Sequence, residues 1–241
     1  MKKNVVFIGG SGLIGSELIN DKDINANFNC INFDLINKKN SFFYKTDASV
    51  QEQLKKSIVK VLKKFGNIYA VVNCVYPKVL QRNELPNINA NKFLREINNH
   101  FGIYLNVIQC FTNIFDKNKI SKIINFSSVY GSMIPKFEIY RSTSINTMPL
   151  QYAIIKNAIN TMMLYSAKFF LKKRIKINNI SPGGVLGLRE DKKFIANYGK
   201  FTSSGAMLNK KDITKTVLFL LSSGSDKITG QNIIIDDGFS L

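Results

Sequence analysis

The stretch Val5-Val6-Phe7-Ile8-Gly9-Gly10-Ser11-Gly12-Leu13-Ile14-Gly15-Ser16-Glu17-Leu18-Ile19-Asn20 decides the fold. Its β-branched start at 4–8 predicts a strand, and residues 11–20 have a helical pattern. Between them the glycines form a turn whose backbone N–H groups, with the helix N-terminus, can meet a pyrophosphate. Glycine suits that task because any Cβ would hold the phosphate away from the backbone. Such a turn also serves simply as a tight strand-to-helix connection, so a second residue matters. The next strand, 29–33, ends at Asp34, 19 residues beyond Gly15. A carboxylate there accepts hydrogen bonds from adenosine ribose hydroxyls and repels a 2′-phosphate, which points to NAD.

Working outward, further strands are predicted at 42–45, 68–73, 122–126, 176–180 and 232–235, and helices at 50–65, 91–115, 151–171 and 211–221. Strands separated by helix-sized segments require parallel pairing and right-handed crossovers. The prediction is an α/β fold, a doubly wound parallel sheet with helices on both faces, in a single domain over 1–241. Two irregular stretches, 129–150 and 185–208, follow strands at their carboxyl ends, where open α/β sheets bind ligands.

Composition narrows the function. The chain has 241 residues, 34 Lys and Arg against 16 Asp and Glu, and a net charge of +18. The lysines are scattered and accompany many Asn and Ile, with no aromatic-interleaved or helix-turn-helix pattern, so nucleic-acid binding is not expected. An attraction for anionic substrates remains. The most apolar helical stretch, 161–171, is cut by Lys168, so no membrane span is expected. The apolar run after Met1-Lys2-Lys3 breaks at the glycine turn, unlike a secretory signal, and a cytoplasmic location is expected. Cys30, Cys74 and Cys110 have no C-x-x-C spacing, and His100 is the one histidine. Three small buried thiols are expected rather than a disulfide framework or a metal site.

A second constellation is Tyr152-Ala153-Ile154-Ile155-Lys156, with Asn125-Phe126-Ser127-Ser128 at a strand end upstream. Residues four apart share a helix face, so the Lys156 ammonium can sit beside the Tyr152 phenol. A free phenol titrates near pH 10, and a neighbouring cation favours its ionised form and brings it toward neutral working range. Asp47, beyond the 42–45 strand, reads either as a cap of the following helix or as an adenine contact.

Taken together, the chain resembles the short-chain dehydrogenase/reductase family along nearly its whole length. The likeness is carried by GGSGLIG at 9–15, TDA at 46–48, VNC at 72–74, INNHFG at 97–102, NFSS at 125–128, YAIIK at 152–156, NNISPGG at 178–184 and ITGQNIIIDDG at 228–238. The resemblance implies a Rossmann-type sheet, an NAD(P) cofactor and the catalytic residues Asn99, Ser128, Tyr152 and Lys156. In that scheme Asn99 bends its helix and holds a water, Ser128 steadies the reacting oxygen, and Tyr152 exchanges the proton. Lys156 holds the ribose and lowers the tyrosine pKa. Cofactor contacts are implied at Gly9, Ser11, Gly12, Leu13, Ile14, Gly15, Asp34, Asp47, Ala48, Asn73, Tyr152, Lys156, Pro182, Gly183 and Val185. Where the family usually has Asn-Ala-Gly after the fourth strand, this chain has Cys74-Val75-Tyr76, and Ile8 replaces the usual threonine.

Between Ser128 and Tyr152 lie 23 residues, a long interval for the family. This segment, with Tyr76-Pro77-Lys78, resembles oxidoreductases of bacterial flagellin modification and legionaminic-acid-type sugar biosynthesis. A sugar or sugar phosphate substrate is implied; the bland alternative is an oligomer contact or structural flap. Arg141, Arg189 and Arg82 are candidate partners for a substrate anion, against the alternative that all are solvated. His100, one position from Asn99, points to a different side of its helix and reads as a packed or interface residue. The function expected is NAD(H)-linked interconversion of a secondary alcohol and a ketone on a small sugar-derived molecule. Glycine spacing at 9, 12 and 15 keeps an NAD-retaining sugar epimerase or dehydratase open, and a non-catalytic NAD-binding regulator is the other alternative. The apolar content of helices 91–115 and 151–171, which the family commonly pairs across two-fold axes, points to a homodimer or homotetramer.

Overall fold

Val5, Val6 and Phe7 have no exposed surface. Their strand, β1 (Lys3–Ile8), lies inside a seven-stranded sheet in a computed structural model that describes residues 2–38, 40, 42–76, 85–187 and 191–241. The other strands are β2 (Phe28–Asp34), β3 (Phe43–Lys45), β4 (Ala70–Asn73), β5 (Ser121–Phe126), β6 (Ile175–Pro182) and β7 (Asn232–Ile235). Their order is β3-β2-β1-β4-β5-β6-β7, and every neighbouring pair is parallel. The expected doubly wound sheet is present. The order reverses between β1 and β4, the place where such sheets open a crevice beyond their carboxyl ends.

The pleat divides the core in two, because successive side chains point to opposite faces. Val6 and Ile8 pack with α3 (Gln51–Phe65), α4 (Ala90–Thr112) and α5 (Leu150–Phe169) through Leu54, Val107 and Met163. Val5 and Phe7 pack on the other face with α1 (Leu13–Asn20), α2 (Lys22–Asn27) and α7 (Lys210–Leu221) through Leu18, Ile24 and Val217. The α3 helix ends at Gly66, whose φ of +79° suits the left-handed turn and whose N–H returns to the Leu62 carbonyl. No helix among the described residues is long and apolar enough to cross a membrane.

Two helices were not anticipated. The six-residue α2 buries Ile24 alone, too little for a periodic signal, and is held by Asp21, which accepts from the N–H groups of Asp23 and Ile24. The α6 helix (Lys192–Gly199) lies inside 185–208, expected to be irregular. Asp191 caps it by accepting from Phe194 N–H at 2.8 Å, and Phe194 and Tyr198, four apart, form its buried face. A third apolar cluster sits over the carboxyl end of the sheet, where Tyr130, Tyr140, Phe194, Tyr198 and Phe239 pack together. One charge is also unexpectedly internal. Lys122 in β5 is 2% exposed, forms an ion pair with Asp226 at 2.8 Å and donates to the Ser225 hydroxyl at 2.7 Å, tying β5 to the turn after α7.

Candidate active site

Beyond the carboxyl ends of β1, β2, β4, β5 and β6 the chain encloses a cavity of about 890 Å³. At one end the glycine turn supplies Gly9, Ser11, Gly12, Leu13 and Ile14 to its wall. Gly12 is the N-cap of α1 and brings no side chain to the first N–H groups, which lack intrahelical partners and remain available to an anion. Gly9 has φ of +74°, and a Cβ there would stand 3.0 Å from the Val75 backbone. Gly15 is not on the cavity wall; a Cβ there would lie 2.3 Å from the Gly9 carbonyl oxygen, so its task is to let helix and turn approach.

Asp34 lines the same end, its carboxylate accepting from Ser11 N–H at 2.9 Å and Leu35 N–H at 2.6 Å. These bonds fix the carboxylate beside the turn. Asp47 and Ala48 also line it. Asp47 accepts from the N–H and hydroxyl of Ser49, at 2.9 and 2.6 Å, whereas the N-cap of α3 is Val50 with no side-chain cap, so the helix-cap alternative for Asp47 is not realised. Asn73 stands apart from the other implied cofactor contacts. It is fully buried, off the cavity wall, and accepts from Val75 N–H at 3.3 Å, which shapes the turn that brings Cys74 and Val75 to the cavity instead.

At the other end stand Ser128, Tyr152, Lys156 and Asn99. Ser128 follows β5, is 6% exposed and accepts from Tyr130 N–H at 3.2 Å. The α5 helix holds Lys156 one turn beyond Tyr152, its Nζ 5.6 Å from the Tyr152 ring centroid. Lys156 is 3% exposed, and burial lowers its pKa from 10.5 to about 7. Its ammonium donates to the Phe126 carbonyl at 2.8 Å and to the Tyr104 hydroxyl at 3.4 Å. Ser127 anchors this helix to β5 by donating to the Lys156 carbonyl at 2.9 Å. Asn99 lies on α4, which is continuous from Ala90 to Thr112. Pro182, Gly183 and Val185 line the cavity beyond β6, and the Tyr198 hydroxyl accepts from Gly184 N–H at 2.6 Å to hold that turn.

The proposed substrate arginines divide differently. Arg141 is exposed, follows a short helical turn (Phe137–Tyr140) and is absent from the cavity wall, because the turn points its two buried aromatic and aliphatic residues, Ile139 and Tyr140, inward instead. Arg82 and Arg189, with Lys78, lie outside the described residues. Cys30 and Cys110 are buried as expected, and burial pushes the Cys30 thiol up to about 12; Cys74 instead lines the cavity. His100 is packed as expected, though it packs against Tyr76 and Tyr104 close behind the site.

Several residues of this end were not singled out. Tyr104 has no exposed surface, donates toward the Phe126 carbonyl at 2.8 Å and sits beside Lys156. A hydroxyl within the apolar face of α4 must find such partners, and that demand was its available signal. Phe194 and Tyr198 were signalled by the Asp191 cap and their four-residue spacing.

Comparison with known proteins gives four further findings. The family model described as enoyl-(acyl carrier protein) reductase matches residues 33–240. The post-translational flagellin modification protein A of Campylobacter coli is 31% identical, covering all of both chains. A short chain dehydrogenase from Leptospira borgpetersenii, solved with bound NAD+, is 28% identical with a TM-score of 0.88, covering 100% of this chain and 94% of that one. The aldohexose dehydrogenase of Thermoplasma acidophilum, 20% identical over 99% of this chain and 94% of its own, shares the fold with a TM-score of 0.83. A family model spanning most of the chain and a full-length relative agree with the sheet order and the cavity: this chain belongs to the short-chain dehydrogenase/reductase family of oxidoreductases.

Proposed function

We propose that the chain is an NAD(H)-dependent oxidoreductase that interconverts a secondary alcohol and a ketone on a sugar or sugar phosphate of bacterial surface-glycan biosynthesis. The observation that carries this reading is one cavity bearing the glycine turn and Asp34 at one end and Ser128, Tyr152 and Lys156 at the other. The residues fit NAD. The open N–H groups at the start of α1 suit a pyrophosphate, the missing Cβ atoms let the turn and helix pack closely behind them, and Asp34 suits a ribose diol. When bound, the nicotinamide supplies the hydride acceptor or donor.

The chain's own residues handle the proton. In alcohol oxidation the Tyr152 phenolate oxygen takes the hydroxyl proton, and Ser128 donates a hydrogen bond to the substrate oxygen. Ammonium and phenolate stabilise one another, so a Tyr152 phenolate favours the charged Lys156 that burial alone opposes. The flagellin modification protein supports the sugar-derived substrate by likeness. The exposed apolar residues Leu94 and Leu105 on α4 and Leu164 and Tyr165 on α5 support assembly as a homodimer or homotetramer.

A panel of sugars, sugar phosphates and nucleotide sugars, assayed with NAD+ and NADH by absorbance at 340 nm, tests the reading. A substrate-dependent change in NADH is expected. Turnover with no net change in NADH would assign a cofactor-retaining reaction instead. Light scattering at micromolar concentration that returned the mass of one chain would remove the assembly.

A further inference from the structure

The reaction end of the cavity has aromatic walls from both neighbouring strand ends. On the β4 side stands Tyr76, 46% exposed. Its ring meets that of Tyr152 edge-on, with centroids 5.6 Å apart and planes at 77°. Behind it His100, 2% exposed, meets Tyr76 at 5.6 Å and 71° and leans on Tyr104 at 6.0 Å. Burial lowers the His100 pKa to about 3, so the ring supporting Tyr76 is neutral at working pH. On the β6 side, Phe194 lies 5.3 Å from Tyr140 and 6.2 Å from Tyr198. Because β5 lies between β4 and β6, Ser128 and Tyr152 stand between these two walls.

The charge distribution is equally uneven. Among the described residues that line the cavity, Asp34, Lys38 and Asp47 belong to the nucleotide end, and Lys156 is the charged side chain at the reaction end, buried beside Tyr152. A charged substituent seated between these rings would give up water without meeting an exposed opposite charge among the described residues, whereas an uncharged ring offers each wall an apolar face. We infer that the reaction end selects an uncharged ring as the part of the substrate that carries the reacting carbon, with Tyr76 the specificity-determining residue and His100 positioning it. This rests on the alcohol and ketone reading of the same site. A phosphate carried by the substrate then lies away from the reacting carbon.

The test uses the full chain loaded with NADH, to which secondary alcohols bind without reacting, followed by NADH fluorescence. The probes are cyclohexanol, 2-propanol and 4-hydroxycyclohexanecarboxylate. Cyclohexanol is expected to bind about tenfold tighter than either other probe. Tyr76→Ala should weaken cyclohexanol about fivefold while changing 2-propanol and NADH affinity less than about twofold, and Tyr76→Phe should retain the preference. His100→Ala should reproduce the Tyr76→Ala pattern, and His100→Phe, which keeps a neutral ring, should rescue it. Melting curves establish that each variant folds, and Tyr76→Leu replaces Tyr76→Ala if the latter does not. Equal binding of ring and acyclic probes, including no measurable binding of any, would overturn the inference, as would tighter binding of the carboxylate. A preference untouched by loss of the Tyr76 ring would overturn the role of that residue. Failure of the wild type to bind NADH would overturn the reading of the site, and this inference with it.

Discussion

At the nucleotide end of the cavity, Gly9, Ser11, Gly12, Leu13 and Ile14 come from one continuous turn, whereas the reaction end draws Tyr76, Tyr140, Tyr152 and Tyr198 from four separate segments. The first end acts through its backbone: open N–H groups, a left-handed glycine and a carboxylate tied to the turn. The second acts through side chains whose positions exist only once β4, β5 and β6 lie side by side. A local binding device can be specified by a short string of residues. A wall assembled from distant rings is a property of the packed molecule.

The sharpest way to separate the ends is Tyr152→Phe. It should lower turnover by about two orders of magnitude, near 2.7 kcal/mol, while fold and NADH affinity stay near wild type, as measured by absorbance at 340 nm and fluorescence titration. Near-normal turnover would assign the proton to another group.

Next comes a pH effect that belongs to the reaction end alone. Lys156 has a folded pKa of about 7 in the chain without cofactor. Its unfolded pKa is about 10.4, so between these values the unfolded chain holds more protons and stability rises with pH. Relative to Lys156→Met, the wild type should gain about 2 kcal/mol between pH 6 and pH 9, measured by urea unfolding. A parallel pair of pH curves would remove the buried-ammonium account.

The nucleotide end is probed by Asp34→Ala. NAD(H) should bind the wild type about tenfold more tightly than NADP(H), near 1.4 kcal/mol. Removing the carboxylate should narrow that gap, since Lys38 lines the same end of the cavity and can meet a 2′-phosphate. Equal affinities in the wild type would refute the assignment.

The smallest effect should come from the frame around the aromatic wall. Asp191 accepts from the N–H and hydroxyl of Ser144, at 2.7 and 2.6 Å, joining α6 to the long interval before Tyr152. These bonds hold its carboxyl down near 2. Asp191→Ala should raise the substrate KM a few-fold and leave kcat and NADH affinity unchanged; an altered NADH affinity would mean that the two ends do not respond separately.

The same contrast governs what could be read from sequence. The sheet, its direction, its seven strands and five of the helices beside them were legible because buried strands are continuous apolar runs and crossovers need helix-sized spacers. The pairing of Tyr152 with Lys156 was legible from spacing, since one helical turn separates them wherever that helix packs, and Ser128 was placed by its position at a strand end. The motif at 72–74 identifies a position without saying which side chain faces the cavity, and there Cys74 lines it while Asn73 does not. Arg141 was favoured for its charge within a long segment, and the segment turned its aromatic and aliphatic residues inward instead. The rings of Phe194 and Tyr198 were missed because two buried aromatic residues in eight form too narrow a stripe to be seen against an irregular background.

A Cβ on Gly9 would stand 3.0 Å from the Val75 backbone, and Val75 precedes Tyr76. The backbone spacing that admits a pyrophosphate is therefore also a datum from which the substrate wall is measured. Engineers who wish to change cofactor preference without disturbing substrate range should leave residues 9 and 75 as a matched set and work at Asp34 and Leu35. Transplanting a bulkier turn from another dehydrogenase would move the hinge on which Tyr76 hangs, and a chimera designed to alter one selectivity would alter both.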